Sequence, residues 1–345
     1  MSAVFKWDPN NSQVYTKDYV TQTIFLKNND TRAEPYPFDK LGGANFIMNA
    51  EGETLTLQND TDNIPIYWPE FIRHDDGTIT DSGKGLKMNI SAGKLIVDYK
   101  NSRDHTVAYL GCAESANFTL ENTGSLEIID PGTVFMFINY VIQDENKPPK
   151  LLMSGNSEFK ITQEKPIKED VPAFIFLASE IHLSESSTIT FESNNLYLGD
   201  GVFNYCNISI QDNSIATLCN DGIIPKNDIE NKKTKFNLMS GIPSLNIQSF
   251  SGTYFPLYIY DVEYPSGLFN FITEKNKKNL GKVMIDVQMD SKNNYDTFVD
   301  DIFNKKLITY NTEPDKKYFN VKYGSAFRKS HPVATITISL KPEYQ

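Results

Sequence analysis

The chain reads as an all-β protein: a short-strand parallel β-helix or a multilayer β-sandwich, with one short helix near the C-terminus. Two observations predict this. From Phe174 to Cys219 apolar residues alternate in short bursts, Ile175/Leu177, Ile181/Leu183, Ile189/Phe191, Leu196/Leu198 and Ile208/Ile210, separated by small polar residues or Gly. Period-2 alternation puts one set of side chains on one face of a strand, and the spacing suggests strands stacked coil on coil or a tight antiparallel sheet. The second observation is the abundance of Asn, Asp, Ser and Thr, the residues of a chain with many turns. Period 2 does not separate parallel from antiparallel pairing.

Taken in order, residues 1–20 are polar with scattered aromatics and suit a strap or edge strand. Thr23–Thr31 (TIFLKNNDT) is echoed by Thr54–Thr61 (TLTLQNDT). Each copy is a period-2 strand followed by an Asn-Asp-Thr turn and a Pro/aromatic segment, which is hairpin chemistry. Residues 1–105 are expected to form an N-terminal β-sandwich or cap. The order of an Asn-Asp-Thr turn, Trp68, Ser91-Ala92-Gly93 and Gly111-Cys112 resembles the strand order of thaumatin-like and glucanase-like sandwiches, without the thaumatin cysteines.

From Val107 short strands are expected at 117–120, 125–129, 133–139, 151–153 and 158–162, leading into the alternating stretch. Loops of different length leave them while the strands stay alike, as in a parallel β-helix. Residues 106–260 are expected to be this central domain. Residues 261–345 are expected to be a C-terminal β region with a helix over Tyr295–Lys306. Phe298 and Ile302 fall at i and i+4, with Val299 and Phe303 beside them, so one face is apolar.

Composition excludes several functions. The 345 residues carry a net charge of −11 and are 39% apolar and 22% charged, a folded and acidic chain. Nucleic-acid binding needs a basic footprint, and this chain lacks one. The lysine-containing stretches Lys226–Lys235 and Lys275–Lys282 read as solvated loops. No run of apolar residues is long enough for a transmembrane segment. The N-terminus lacks a basic region followed by an apolar one, so the expected location is cytoplasmic, or outside by a non-Sec export route. Three cysteines, Cys112, Cys206 and Cys219, fit neither a disulfide framework nor a zinc site; Cys206 and Cys219 read as buried small residues, with a bridge between them the alternative.

No Gly-rich phosphate loop and no nucleophile elbow is present, so nucleotide-dependent enzymes and α/β-hydrolases are not expected, and no cofactor is. His182 lies between Glu180 and Glu185 on the side of the strand opposite Ile181 and Leu183, a solvent face or a polar site. Asp75, Asp76 and Asp81 form an acid-rich turn that could hold Ca²⁺ through oxygen ligands. Were the chain a polysaccharide hydrolase or lyase on a β-helix, Glu192, Asp200 and Asp212 would be its catalytic carboxylates, paired about 5–10 Å apart. Tyr67, Trp68, Glu70, His74, Asp75 and Asp76 combine a flat aromatic with carboxylates, the chemistry that stacks on a sugar ring and accepts its hydroxyls. Tyr254, Tyr258 and Tyr260 are further aromatic positions. The leading expectation is a non-enzymatic β-rich binding or structural protein, a bacterial host-facing or surface virulence factor that recognises glycan or a protein partner. The alternatives are the polysaccharide enzyme and a self-assembling component that oligomerises through β edges.

Overall fold

The computed structural model describes residues 3–7, 12–26, 45–59, 67–69, 71–73, 79–81, 87–99, 107–112, 117–129, 132–136, 148–163, 174–199, 205–225, 234–287 and 295–345. The fold is a parallel β-solenoid with one short helix in the C-terminal part. Each full coil lays a strand on a first, a second and a third face. The first coils are β1 (Gln13–Thr16) with β2 (Gln22–Leu26), then β3 (Phe46–Asn59), which covers two faces, with β4 (Tyr67–Pro69). A small antiparallel ribbon, β5 (Phe71–Arg73) and β6 (Ile79–Asp81), follows. Next come β7 (Lys87–Asp98) with β8 (Val107–Cys112), and β9 (Asn117–Ile129) with β10 (Thr133–Met136). The central coils are β11 (Lys150–Met153), β12 (Glu158–Thr162) and β13 (Phe174–Leu177); β14 (Glu180–Leu183), β15 (Thr188–Glu192) and β16 (Asn195–Leu198); and β17 (Asn207–Asp212), β18 (Ile215–Cys219) and β19 (Ile223–Pro225). They are followed by β20 (Lys235–Gly241) and β21 (Ser244–Gln248), then by β22 (Phe269–Phe271) and β23 (Lys282–Val287).

Register makes the core. Leu151, Ile181, Ile208, Phe236, Phe269 and Ile308 stack on the first face, each beside the next. Phe159, Ile189, Ala216, Leu245 and Val283 do the same on the second. Val134, Ile175, Leu196 and Ile223 complete the interior from the third, and all of these residues are at most 1% exposed. A slip of one residue in any coil would turn its whole apolar set outward, so burial fixes the register.

The corner between the first and second faces repeats too. Asn122, Gly155, Glu185, Asp212 and Gly241 all have positive φ, one per coil. Gly155 N–H donates to the Glu185 carboxylate at 2.7 Å, and Glu185 N–H donates to the Asp212 carboxylate at 3.1 Å. Each acid satisfies an amide of the coil before it, which the sharp corner would leave unpaired. Gly241 is required at its corner: a side chain there would meet the Asp212 backbone at 2.4 Å.

The C-terminal end is closed differently. Helix α1 (Tyr295–Asn304) occupies the connection between β23 and β24 (Ile308–Tyr310), burying Phe298, Val299, Ile302 and Phe303. The hairpin of β25 (Phe319–Arg328) and β26 (His331–Leu340) then pairs β26 antiparallel with β23. Among the described residues, antiparallel strand ladders are confined to this cap and the β5–β6 ribbon.

The stacked-coil reading of residues 174–219 is what forms. The hairpins expected at the Asn-Asp-Thr turns lie outside the described residues; the strands before those turns, β2 and β3, pair with each other in parallel. The sheet crosses residue 105 through β7–β9 and residue 260 through β20–β22 without a break.

Candidate ligand-binding site

The third sheet carries an unusual row. Tyr67, Tyr109, Phe135, Phe176, Tyr197 and Ile224 are successive register partners across β4, β8, β10, β13, β16 and β19. The flanking rows are interior, with Met136, Leu177 and Leu198 fully buried. Tyr197 alternates with Leu196 and Leu198, and both Tyr197 and Ile224 are half-buried on the outer side. Neighbouring strands lie about 4.8 Å apart, and of this row the described side chains are Tyr197 and Ile224, on adjacent strands.

Residues 255–259 extend the row past β19. Ile223 N–H donates to the Pro256 carbonyl at 2.8 Å, and Leu257 and Ile259 turn into the core while Tyr258 stays half-buried between them. The Tyr264 hydroxyl ties the segment down: it accepts from Tyr258 N–H at 3.1 Å and donates to the Ile223 carbonyl at 2.8 Å. Burial pushes the Tyr258 phenol above its ordinary range, with Asp221 adding to the shift. Gly222 lets Asn195 and Tyr258 pack closely over it; a side chain there would meet Asn195 Oδ1 at 2.8 Å and the Tyr258 ring at 3.3 Å. Phe174, in the adjacent outer row, stands 5.7 Å from the Tyr197 ring at a tilt of 55°. Asp221 holds the neighbouring loop by accepting from Phe250 N–H at 3.1 Å and Ser251 N–H at 2.9 Å. The described part of the site is therefore aromatic and amide-bearing, set on a rigid sheet.

The structure divides the residues singled out from the sequence. Tyr67 falls in the aromatic row. Trp68 is the backbone register partner of Leu110 across β4 and β8. Asp81 lies in β6 opposite Phe71. Glu70, His74, Asp75, Asp76 and Asp200 lie outside the described residues. Glu192 ends β15, beside Cys219 in register, and burial pushes its carboxyl up while Lys160 and Lys329 pull it down. Asp212 ends β17 at the corner preceding β18, where it accepts from Glu185 N–H at 3.1 Å and from Gln211 Nε2 at 3.3 Å. Glu192 lies beside Cys219 at the far end of β18, so the two acids flank opposite ends of that five-residue strand, roughly 13 Å long and beyond the span of a hydrolytic pair. His182 lies on the exposed outer side of β14, between Leu152 and Ser209 in register. Cys206 and Cys219 are free thiols. Among the described residues no group of His, Cys, Asp and Glu could hold a metal ion, and no helix is long and apolar enough to cross a membrane.

Tyr254 and Tyr260 are exposed, and Tyr260 donates to Asp301 of α1 at 2.8 Å. Sequence reading finds Tyr67 and Tyr258 as separate aromatic positions; that they share a row with Tyr109, Phe135, Phe176 and Tyr197 appears only once register is known. No protein family model matches the chain, and no curated protein or solved structure shows significant similarity to it.

Proposed function

We propose that the chain is a non-enzymatic binding protein whose recognition surface is the outer side of the third sheet. The aromatic row carries this reading. Aromatic positions contribute large contact area at little entropic cost, and the described ones on this side, Phe174, Tyr197 and Tyr258, are half-buried and lie close together. Strands supply the rigid platform that a binding site needs. The opposed alternative, hydrolysis of a polysaccharide, draws no support from Glu192 and Asp212, which stand a strand length apart. The test is a glycan and protein-partner binding screen on wild type and Tyr197→Ala, with reducing-end release measured on the same preparations. Binding lost in Tyr197→Ala at an unchanged melting temperature, with no new reducing ends, is the expected result. Release of reducing ends that Glu192→Gln abolishes would replace this reading with an enzyme.

A further inference from the structure

We infer that the ridge between the first and second faces is a self-association surface, on which two copies of this chain meet with their solenoid axes antiparallel. Every connection that builds this ridge from β11 to β23 lies within the described residues. Its crest is a register row. Asn156, Ser186, Asn213 and Ile242 each follow the positive-φ residue of their corner, and the bridge between Gly241 and Asn279 puts Leu280 next in line. The first three are polar and exposed, as on a solvated ridge. Then the chemistry changes. Ile242 is 55% exposed, Leu280 on the next coil 41%, and Ile215, just past the crest on the preceding coil, 38%. Single exposed apolar residues are ordinary, but these three stand on consecutive coils and form one patch.

Charge selects the occupant and its direction. Toward the N-terminal end the ridge carries Glu158, Glu185 and Asp212, all exposed. Toward the C-terminal end the loop before β23 carries Lys275, Lys277 and Lys278, and Lys282 opens the strand. Lys277 pairs with Glu274 at 2.5 Å. A ridge that is acidic at one end and basic at the other complements itself only when reversed; a parallel copy would set acid on acid and lysine on lysine. A two-fold axis lying in the contact plane and crossing the ridge over Ile242 makes that reversal, with first-face side against first-face side. Ile242 then meets its own copy. One coil away, Leu280 lies over the partner's Asn213, Asp212 faces the partner's Lys278, and the methylene stem of Lys282 covers the partner's Ile215. The contact uses itself up, so it gives a dimer rather than a filament. One ridge wide, it falls among the small, transient interfaces, below about 1,200 Å² in total, and Kd is expected in the micromolar range. The third sheet stays clear of it.

The experiment is sedimentation equilibrium of the full chain from micromolar to millimolar concentration, joined to crosslinking through engineered cysteines in a Cys112→Ser background. Wild type should pass from monomer to dimer as concentration rises and go no further. Ile242→Asp sets two carboxylates on the two-fold axis and should weaken the dimer at least about tenfold. Since Ile242 is more than half exposed, its circular dichroism should match wild type. Ile242→Cys lies on the axis and should form a disulfide-linked dimer under mild oxidation. Asn156→Cys occupies the same crest position three coils away, which puts its two thiols about 29 Å apart, so it should not crosslink. In parallel copies every crest position faces itself, and both variants would crosslink. A wild type that stays monomeric at millimolar concentration overturns the inference, as does a dimer that Ile242→Asp leaves intact. Crosslinking of Asn156→Cys as fast as Ile242→Cys overturns the antiparallel arrangement, and growth beyond a dimer overturns the two-fold. Tyr197→Ala should sediment as wild type does; loss of the dimer in that variant would move the contact to the third sheet and overturn the ridge.

Discussion

Arg328→Ala should release the C-terminal cap. Asp286, on β23, has a side chain with no exposed surface, and the Arg328 side chain is 17% exposed. Arg328 donates to it twice, Nε at 2.7 Å and Nη2 at 3.1 Å, and Ser249 N–H donates at 2.8 Å. Removing the guanidinium leaves a buried carboxylate with one backbone donor and no countercharge, a change that costs about 3–5 kcal/mol. Because Arg328 closes the tip of the β25–β26 hairpin, the loss should fall first on that hairpin, as a local opening. Amide hydrogen exchange over residues 331–340 should therefore accelerate by roughly a hundred- to several-thousand-fold, while residues 181–198 change little. The double variant Asp286→Asn/Arg328→Met keeps an acceptor for Ser249 and removes both charges, so it should recover most of the protection. Exchange in Arg328→Ala within about fivefold of wild type would refute the reasoning, as would a double variant no better than the single one.

Phe159→Ala should cost about 3–5 kcal/mol in urea unfolding, because Phe159 is fully buried in the stack of the second face; a near-neutral change would move it out of the core. Glu192 has a raised carboxyl, so the folded state binds its proton more tightly than the unfolded state. Its charge then subtracts stability as pH rises above the ordinary 4.5. Glu192→Gln should accordingly be more stable than wild type near pH 7 and equal to it at about pH 4; a variant less stable at both pH values would show that the carboxylate is needed. Burial pushes the Cys206 and Cys219 thiols up to about 12, so in a Cys112→Ser background native protein should resist iodoacetamide at mildly alkaline pH and react at both positions in urea, read by mass spectrometry.

Local pattern and long-range register contribute differently to what can be read from the chain. The alternation of Ile181/Leu183 or Ile189/Phe191 names a strand and its buried side from five or six residues, and Phe298/Ile302 names the helix in the same way. The pairing partner is set elsewhere. Thr23 echoes Thr54 in sequence but lies beside Thr56 in the sheet, an even shift that keeps the same side chains buried. Strands expected separately at 117–120 and 125–129 are one strand, because Asn122 adopts positive φ and Gly124 packs against the Ile90 carbonyl, letting the backbone turn the corner while still pairing with β7. The aromatic row shows no period in the sequence since the connections back to the first face differ in length from coil to coil.

The antiparallel cap has a consequence for the order in which the protein is made. A ribosome delivers the coils one after another, and each finished coil is the template on which the next is laid. Until residues 319–340 emerge, the most recent coil ends in open backbone donors and acceptors, with Val283 and Ile285 lacking their partners Ile338 and Ile336. Every nascent chain therefore passes through a sticky stage, and the closing step belongs to a strand that runs against the direction of all the coils it seals. A messenger truncated before codon 319 would yield chains held permanently at that stage. They should accumulate in the insoluble fraction even though most of the solenoid sequence is present.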